Sequence, residues 1–419
     1  MRKALRTIAT VCLIPASACG AQGRQETQGA RAAPVKSGLE VLLSDSLHLL
    51  QGKRVGLITN HTGIDRQGRR NVDLLFKAPR VQLVALFGPE HGFGGAARAG
   101  AQIGFATDTA TGLPVHSLYG ETRVPTPEML KDVDVLVYDI QDVGARVYTY
   151  VWTMALSALE AERHGIPFIV LDRPNPIRAD MVAGGVLESQ YRSFVGQYDV
   201  ALRYGLTPGE LLRYLVGTKR VSAKVHVVPM QGYRRSMWYS ETGLPWLNPS
   251  PNIRDEETAL LYPGTVFFEA TNLSEGRGTD APLKQAGAPW LTDAPAIAQM
   301  LNDRKLPGVR FEAREVSVRT GDKHGGLTIP VVRLHVTDKN SIEPVATAVA
   351  LMREIFLRHP AQWAWQRGTG AERLSGTAEF RAAVSDTNRS STAVQKLLER
   401  WRRESAAFQS DTRPYLIYK

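Results

Sequence analysis

The feature that most constrains this chain is a repeated alternation of short, nearly continuous apolar runs with stretches of helical period. Apolar runs lie at residues 54–60, 81–87, 133–140 and 167–172. Such runs suit strands buried on both faces, the condition of a parallel sheet. A helical pattern over residues 148–164 stops at Gly165, and a glycine there is a common helix terminator. Another opens at Thr207-Pro208-Gly209-Glu210, with Thr as N-cap and Pro at the first helical position. The alternation predicts an α/β fold with a doubly wound sheet and helices on both faces. Helices near 295–302, 343–358 and 392–407, with strands near 309–316 and 330–336, predict a smaller C-terminal α/β domain. The expected divisions are a catalytic domain over 38–285 and a second domain over 286–419. Residues 230–282 are dense in Trp, Tyr, Asn, Pro and Gly and read as functional loops.

The N-terminus reads as an export signal. Arg2, Lys3 and Arg6 precede a short apolar tract that ends in Ala16-Ser17-Ala18-Cys19, a lipoprotein-type cleavage box. Residues 1–19 are therefore expected to be a signal segment, with Cys19 lipidated after cleavage. An ordinary secretory signal is the plainer alternative. Residues 20–37 lack apolar periodicity and read as a tether. The expected location is periplasmic, anchored to a membrane by the N-terminal lipid.

Cysteine usage narrows the chemistry. The chain has 2 Cys, and one of them, Cys12, lies within the expected signal. A mature chain without paired cysteines has no internal disulfide, thiol nucleophile or Cys-ligated zinc. The net charge of +10 fits an anionic polymer or membrane face as well as simple solubility. No basic-aromatic run of the nucleic-acid-binding kind is present. Walker A, G-x-S-x-G and H-E-x-x-H patterns are absent, and the 9 His are scattered, so neither a cofactor nor a metal is expected. Gly92-Phe93-Gly94-Gly95-Ala96-Ala97 matches the dinucleotide fingerprint G-x-G-x-x-A only weakly. Three residues separate it from the strand, and a poor helix sequence follows.

Ligands of open α/β sheets bind at the C-terminal ends of the strands. Those ends deliver Asn60 and His61, then Glu90 and His91, then Asp139 and Asp142, then Asp172 and Asn175. Any one of these suits a turn or cap; four in succession suggest a site. Glycoside hydrolysis uses two carboxyl groups. Glu90, in a Gly-rich loop after an apolar strand, is the best candidate acid. Glu121, Asp139 and Asp142 are candidates for its partner, and spacing does not choose among them.

Five ordered strings carry a resemblance: GPEHGFGG at Gly88–Gly95, SLYGE at Ser117–Glu121, YDIQDVGARVYTY at Tyr138–Tyr150, LDRPNP at Leu171–Pro176 and NLSEGRGT at Asn272–Thr279. Together they resemble the bacterial exo-β-N-acetylmuramidase family, long catalogued as a domain of unknown function. The resemblance implies a Rossmann-like larger domain, a smaller C-terminal domain and a site between them. It implies release of terminal N-acetylmuramic acid from non-reducing ends of peptidoglycan fragments, in cell-wall turnover or recycling. It places Glu90 as the leading acid and Glu121 as the second carboxylate. It assigns Asp139, Asp142, Arg146, Tyr148, Asn248, Ser250, Asn252, Glu275, Arg277 and Thr279 to the cleft. The substrate's lactyl carboxylate calls for an Arg fork, for which Arg146 and Arg277 are the candidates, with a structural ion pair as the alternative for each. Trp238, Trp246 and Tyr262 are candidates to stack on sugar, though a core or lid-packing role suits each, taken alone, better. Two other readings are a non-catalytic wall-binding lipoprotein and a nucleotide-dependent enzyme.

Overall fold

The computed structural model describes residues 34–419, which form one compact unit. The signal segment, Cys19 and most of the expected tether lie outside the described residues. The last tether residues are already docked: Val35 is fully buried and its N–H donates to the Thr242 carbonyl at 2.9 Å.

In chain order the strands are β1 (Arg54–Thr59), β2 (Gln82–Gly88), β3 (Ala106–Thr107), β4 (Pro114–Ser117), β5 (Val135–Asp139), β6 (Phe168–Leu171), β7 (Ala183–Val186), β8 (Ala201–Arg203), β9 (Val225–Val228), β10 (Gln285–Gly287), β11 (Val309–Ser317) and β12 (Thr328–Val336). The helices are α1 (Gly38–Val41), α2 (Asn71–Phe76), α3 (Pro127–Leu130), α4 (Tyr150–Arg163), α5 (Pro208–Gly217), α6 (Glu256–Thr265), α7 (Ala294–Asp303), α8 (Pro344–Arg358), α9 (Gly370–Ser375), α10 (Glu379–Val384) and α11 (Ala393–Thr412). The main sheet has 7 strands in the order β3-β4-β2-β1-β5-β6-β9, and every pairing except β3 with β4 is parallel. This is the doubly wound α/β architecture that the apolar runs predict. The four anticipated strands are its centre, with their ends moved by one or two residues.

Each central strand splits its apolar residues between two layers, because successive side chains point to opposite faces. Val135 and Val137 of β5 join Val72 and Leu75 of α2 on one face. Leu136 and Tyr138 join Val151, Met154 and Leu211 of α4 and α5 on the other. The strands are thus buried on both sides, which is why they read as continuous apolar runs rather than alternating ones.

A second, antiparallel sheet runs β10-β12-β11, and β7 pairs with β8. The expected division at 285/286 falls inside β10, and a single hydrophobic core continues across it. Within the 230–282 interval read as loops, the structure forms α6. Thr258 to Thr265 are all buried, so this helix has no polar face and no amphipathic period to reveal it. Among the described residues no helix is long and apolar enough to cross a membrane.

The C-terminus is tied to the rim of the sheet. Asp172, fully buried just past β6, accepts from Thr207 Oγ1 at 2.7 Å, the Gly209 N–H at 2.8 Å and the Tyr418 hydroxyl at 2.7 Å. Burial pushes its carboxyl up to about 7 against those three donors. An acid whose folded pKa lies above its unfolded value holds its proton more tightly when folded. Its contribution to stability therefore grows as pH falls from about 7 toward 4. Burial lowers His61 and so opposes this trend, but it does so equally in an Asp172→Asn variant. The melting temperature is expected to respond to acidification from about pH 7.5 to 5.5 more favourably in the native chain than in Asp172→Asn. Equal responses would remove Asp172 from this account.

Candidate active site

The C-terminal ends of β1, β2 and β5 converge on one rim, and Glu90 stands at its centre. Glu90 lies two residues past the end of β2 and is 8% exposed. Its Oε1 accepts from the Gly100 N–H at 2.9 Å and its Oε2 from Thr149 Oγ1 at 2.7 Å. Both donors are neutral, and among the described residues no ion pair reaches this carboxylate. Tyr119 faces it as well: burial first, then the Glu90 charge, pushes the Tyr119 phenol up to about 12.

The loop that holds Glu90 is built for close approach. His91 takes φ of 67°, in the left-handed region that side chains rarely occupy, and its Nδ1 lies 2.7 Å from the Ala97 carbonyl. A Cβ on Gly95 would fall 1.9 Å from His61 Cε1, so only glycine lets this loop fold over the end of β1. Residues 92–105 form turns and no helix, which is not the strand-turn-helix geometry of a dinucleotide site. Arg98 Nη1 donates to the Gly321 carbonyl at 3.2 Å and thereby joins this loop to the β11–β12 connection.

Aromatic groups surround the carboxylate. Tyr148 and Tyr150 pack edge to face at 4.8 Å, and Tyr148 meets Tyr262 at 5.9 Å. The Tyr150 hydroxyl donates to the Pro249 carbonyl at 2.6 Å, which draws the Asn248-Pro249-Ser250 segment onto the rim. His61 Nε2 lies 2.8 Å from the Asn248 carbonyl and helps hold the same segment. Burial, and then the charges of Glu269, Glu90 and Asp142, holds the Tyr262 phenol well above its usual range, while Arg277 acts in the opposite sense. Tyr262 thus links the Glu90 neighbourhood to an ionic cluster beyond it.

In that cluster Arg277 Nη1 lies 2.7 Å from Glu269 Oε1 and 3.0 Å from Glu275 Oε1. Burial works against the Arg277 charge, but the two carboxylates outweigh it and hold the guanidinium above its ordinary value. Lys323, from the β11–β12 connection, donates to the Thr271 carbonyl at 3.0 Å, the Leu273 carbonyl at 2.6 Å and Glu275 Oε2 at 3.0 Å. Lys323 fixes Glu275, and Glu275 fixes one nitrogen of Arg277. Arg277 Nε is buried without a partner. Nη2 makes no hydrogen bond among the described residues, so an edge of the fork stays uncommitted.

The structure gathers Asn60, Glu90, His91, Tyr148, Asn248, Ser250, Glu275 and Arg277 around this rim. Asn60 is buried, and its Oδ1 accepts from Thr62 N and Oγ1. Asn252 is half-buried in the following turn. Glu121 is exposed on the loop after β4, two residues from Tyr119.

Four other candidates stand elsewhere. Asp139 is fully buried beneath the rim. Its Oδ1 accepts from Arg173 Nε at 2.6 Å, and its Oδ2 from Arg173 Nη2 at 3.0 Å and Asn71 Nδ2 at 2.8 Å. Both oxygens are held in a buried ion pair with Arg173, so the placement corrects its assignment as a reacting carboxylate. Asp142 is sealed below the tyrosines, accepting from the Gly144 N–H at 2.7 Å and from the Tyr204 hydroxyl. Burial pushes it up to about 6, against those donors. Arg146 is a second correction. It is fully buried, its Nη atoms donate to the carbonyls of Gly185 at 3.1 Å, Val200 at 3.0 Å and Leu374 at 2.7 Å, and its Nε is buried without a partner, so no edge of it faces the solvent. Thr279 Oγ1 donates to the Gly276 carbonyl at 2.5 Å and accepts from Gln285 Nε2 at 2.9 Å, which shapes the loop carrying Arg277. Among the stacking candidates, Trp238 is buried with its Nε1 on Asn340 Oδ1 at 3.0 Å, whereas Trp246 reaches Asn248 Oδ1 at 3.2 Å beside the rim.

Thr149, Tyr119, Tyr150, Glu269 and Lys323 escaped the sequence reading as site residues. Tyr119, Thr149 and Tyr150 sit inside the quoted motifs, next to residues that were singled out. Glu269 and Lys323 meet only in three dimensions. Among the described residues no group of three or more His, Cys, Asp or Glu is arranged to hold a metal ion.

Comparison with known proteins gives the class first. A relative from Bacillus subtilis (strain 168), named peptidoglycan beta-N-acetylmuramidase NamZ, is 40% identical over 402 residues, covering 96% of each chain. Two crystal structures of DUF1343 family proteins from Bacteroides fragilis NCTC 9343 share the fold. One has TM-score 0.85 and 38% identity, the other 0.70 and 26%, and each comparison covers 92% of this chain and 99% of the other. The protein is a glycoside hydrolase. The family models for the N-terminal and C-terminal parts of the exo-beta-N-acetylmuramidase NamZ match residues 55–257 and 260–418, and the chain belongs to that family.

Proposed function

We propose that this protein removes terminal, β-linked N-acetylmuramic acid from the non-reducing ends of peptidoglycan fragments, with Glu90 as the general acid. The observation that carries the proposal is the setting of Glu90. A carboxyl held by one backbone N–H and one hydroxyl, with no cation beside it, can carry a proton to a leaving oxygen without first breaking an ion pair. Glu121 is the second carboxylate of this reading, because it alone of the three partner candidates is exposed rather than buried. The uncommitted edge of Arg277 takes the lactyl carboxylate, whose planar oxygens match a guanidinium.

The test is an assay of residues 34–419 on a chromogenic β-N-acetylmuraminide beside the matching N-acetylglucosaminide. Release from the muraminide alone supports the reading; release from neither by folded protein sinks it. Arg277→Met is expected to lower kcat/KM for the muraminide by about 10–100-fold, the weight of one or two charge-assisted hydrogen bonds. Its effect on any residual glucosaminide cleavage is expected to be small. Equal losses on both substrates would show that Arg277 serves the fold rather than the lactyl group.

The cellular part of the proposal is export, lipidation at Cys19 and a role in wall turnover or recycling from the periplasmic side of a membrane. It is supported by the basic and apolar N-terminal sequence and the Ala-Ser-Ala-Cys box. Metabolic labelling with an alkyne fatty acid should mark the native chain and spare Cys19→Ala. Label that persists in the variant would reject the anchor.

A further inference from the structure

A cavity that the glycosidase reading leaves unused lies between β7–β8, the start of α8 and the middle of α11. It has a volume of about 350 Å³ and an apolar lining that includes Val182, Ile342, Val345, Leu398 and Trp401. That is the size range of small-molecule sites. One lining residue does not belong in such company. Arg203, from β8, is 2% exposed, yet its hydrogen bonds within the described residues go only to the Ile177 carbonyl and to Met181 Sδ, both from Nη2. Its Nε is buried without a partner, and Nη1 makes no hydrogen bond among the described residues.

Other buried guanidinia among the described residues have more partners. Arg173 is paired with Asp139 and Arg235 with Glu210; Arg146, which like Arg203 lacks a carboxylate and has a buried Nε without a partner, still donates to three carbonyls where Arg203 reaches one. Arg203 has no carboxylate in contact. Asp180 acts on it from a distance but is held by Arg178 at 2.6 Å. At the mouth, Glu343 is the one carboxylate an entering anion would meet, and Arg402 neutralises it at 3.2 Å. A buried cation without a counter-ion is costly, and desolvation already draws Arg203 down to about 10.

We propose that this cavity is a binding site for a small monocarboxylate with an aliphatic body. The carboxylate pairs with Arg203, and the chain lies against Val182, Ile342, Val345 and Leu398. The ligand would also brace the floor of the active site, because β8 is joined to the loop carrying Asp142. The Arg146 N–H donates to the Leu202 carbonyl at 2.7 Å, Ala145 bridges to Arg203, and Tyr204 holds Asp142.

Octanoate is the probe, with octan-1-ol and octylamine as chain-matched controls, measured by calorimetry and thermal shift on residues 34–419. Octanoate is expected to raise the melting temperature with dose and to bind at least about tenfold more tightly than either control. Ala346→Trp, which fills the cavity from its half-buried wall and leaves Arg203 in place, is expected to abolish the octanoate shift while the ligand-free protein melts as before. Arg203→Lys keeps the charge but loses the fork and is expected to weaken octanoate without changing octan-1-ol. No octanoate shift, an equal shift from octan-1-ol or octylamine, or a shift that survives in Ala346→Trp would each overturn the proposal.

Discussion

Glu90→Gln is expected to lower kcat on a muraminide with a poor leaving group by about 10²–10⁴-fold while the protein melts within a degree or so of native. Glutamine keeps both contacts. Its carbonyl oxygen can accept from the Gly100 N–H, and its amide can donate to Thr149 Oγ1, because a hydroxyl serves either role. Only the transferable proton is lost. An acid matters most when the leaving oxygen is basic, so the loss should shrink on a dinitrophenyl muraminide, whose leaving group departs without help. The same loss on both substrates would assign Glu90 to attack or to water activation instead. Activity within a factor of about three of native on the poor leaving group would remove Glu90 from catalysis altogether.

Asp139→Ala is expected to destabilise the fold by about 3–5 kcal/mol, the cost of leaving one partner of a buried ion pair uncompensated. Arg173 would keep its charge at 2% exposure, with only the Ile64 carbonyl, at 3.0 Å, as acceptor. The change should appear as a lower midpoint in urea with the slope unchanged. Replacing both partners, as Asp139→Leu with Arg173→Met, should recover part of the loss, because no orphaned charge remains. The fraction of Asp139→Ala that stays folded should turn over with a kcat near native. A fully stable Asp139→Ala with kcat reduced by orders of magnitude would restore the catalytic role that the sequence reading offered it.

Those two carboxylates show what a motif conveys and what it leaves open. Both lie in the quoted strings, and both stand at a strand end. Asp139 continues the parity of Val135 and Val137, the residues that face α2, and its contact with Asn71 of α2 is the consequence. That much was legible in the period-2 pattern of β5. Glu90 lies past β2, where the regular alternation ends and the turn sets the direction of the side chain. Arg146 is a harder case. Nothing in YDIQDVGARVYTY tells which of its polar residues turn inward, and Arg146 finds its acceptors in Gly185, Val200 and Leu374, the last 228 residues away.

The fold class was settled locally. Strands buried on both faces must be continuously apolar, helices that cover them must show a period near 3.6, and proline and glycine mark where each begins and stops. Helix α6 escaped because it is buried all round, and a helix without a polar face carries no period. By itself, then, the sequence determined the α/β layers, the strand ends that form the rim and the polar residues stationed there. Which of those residues keeps a free lone pair or a free N–H was decided only by the tertiary structure. Asp139 and Glu275 are held by cations, Arg173 and Lys323, that reach them across 34 and 48 residues of chain, whereas the donors of Glu90, Gly100 and Thr149, are neutral.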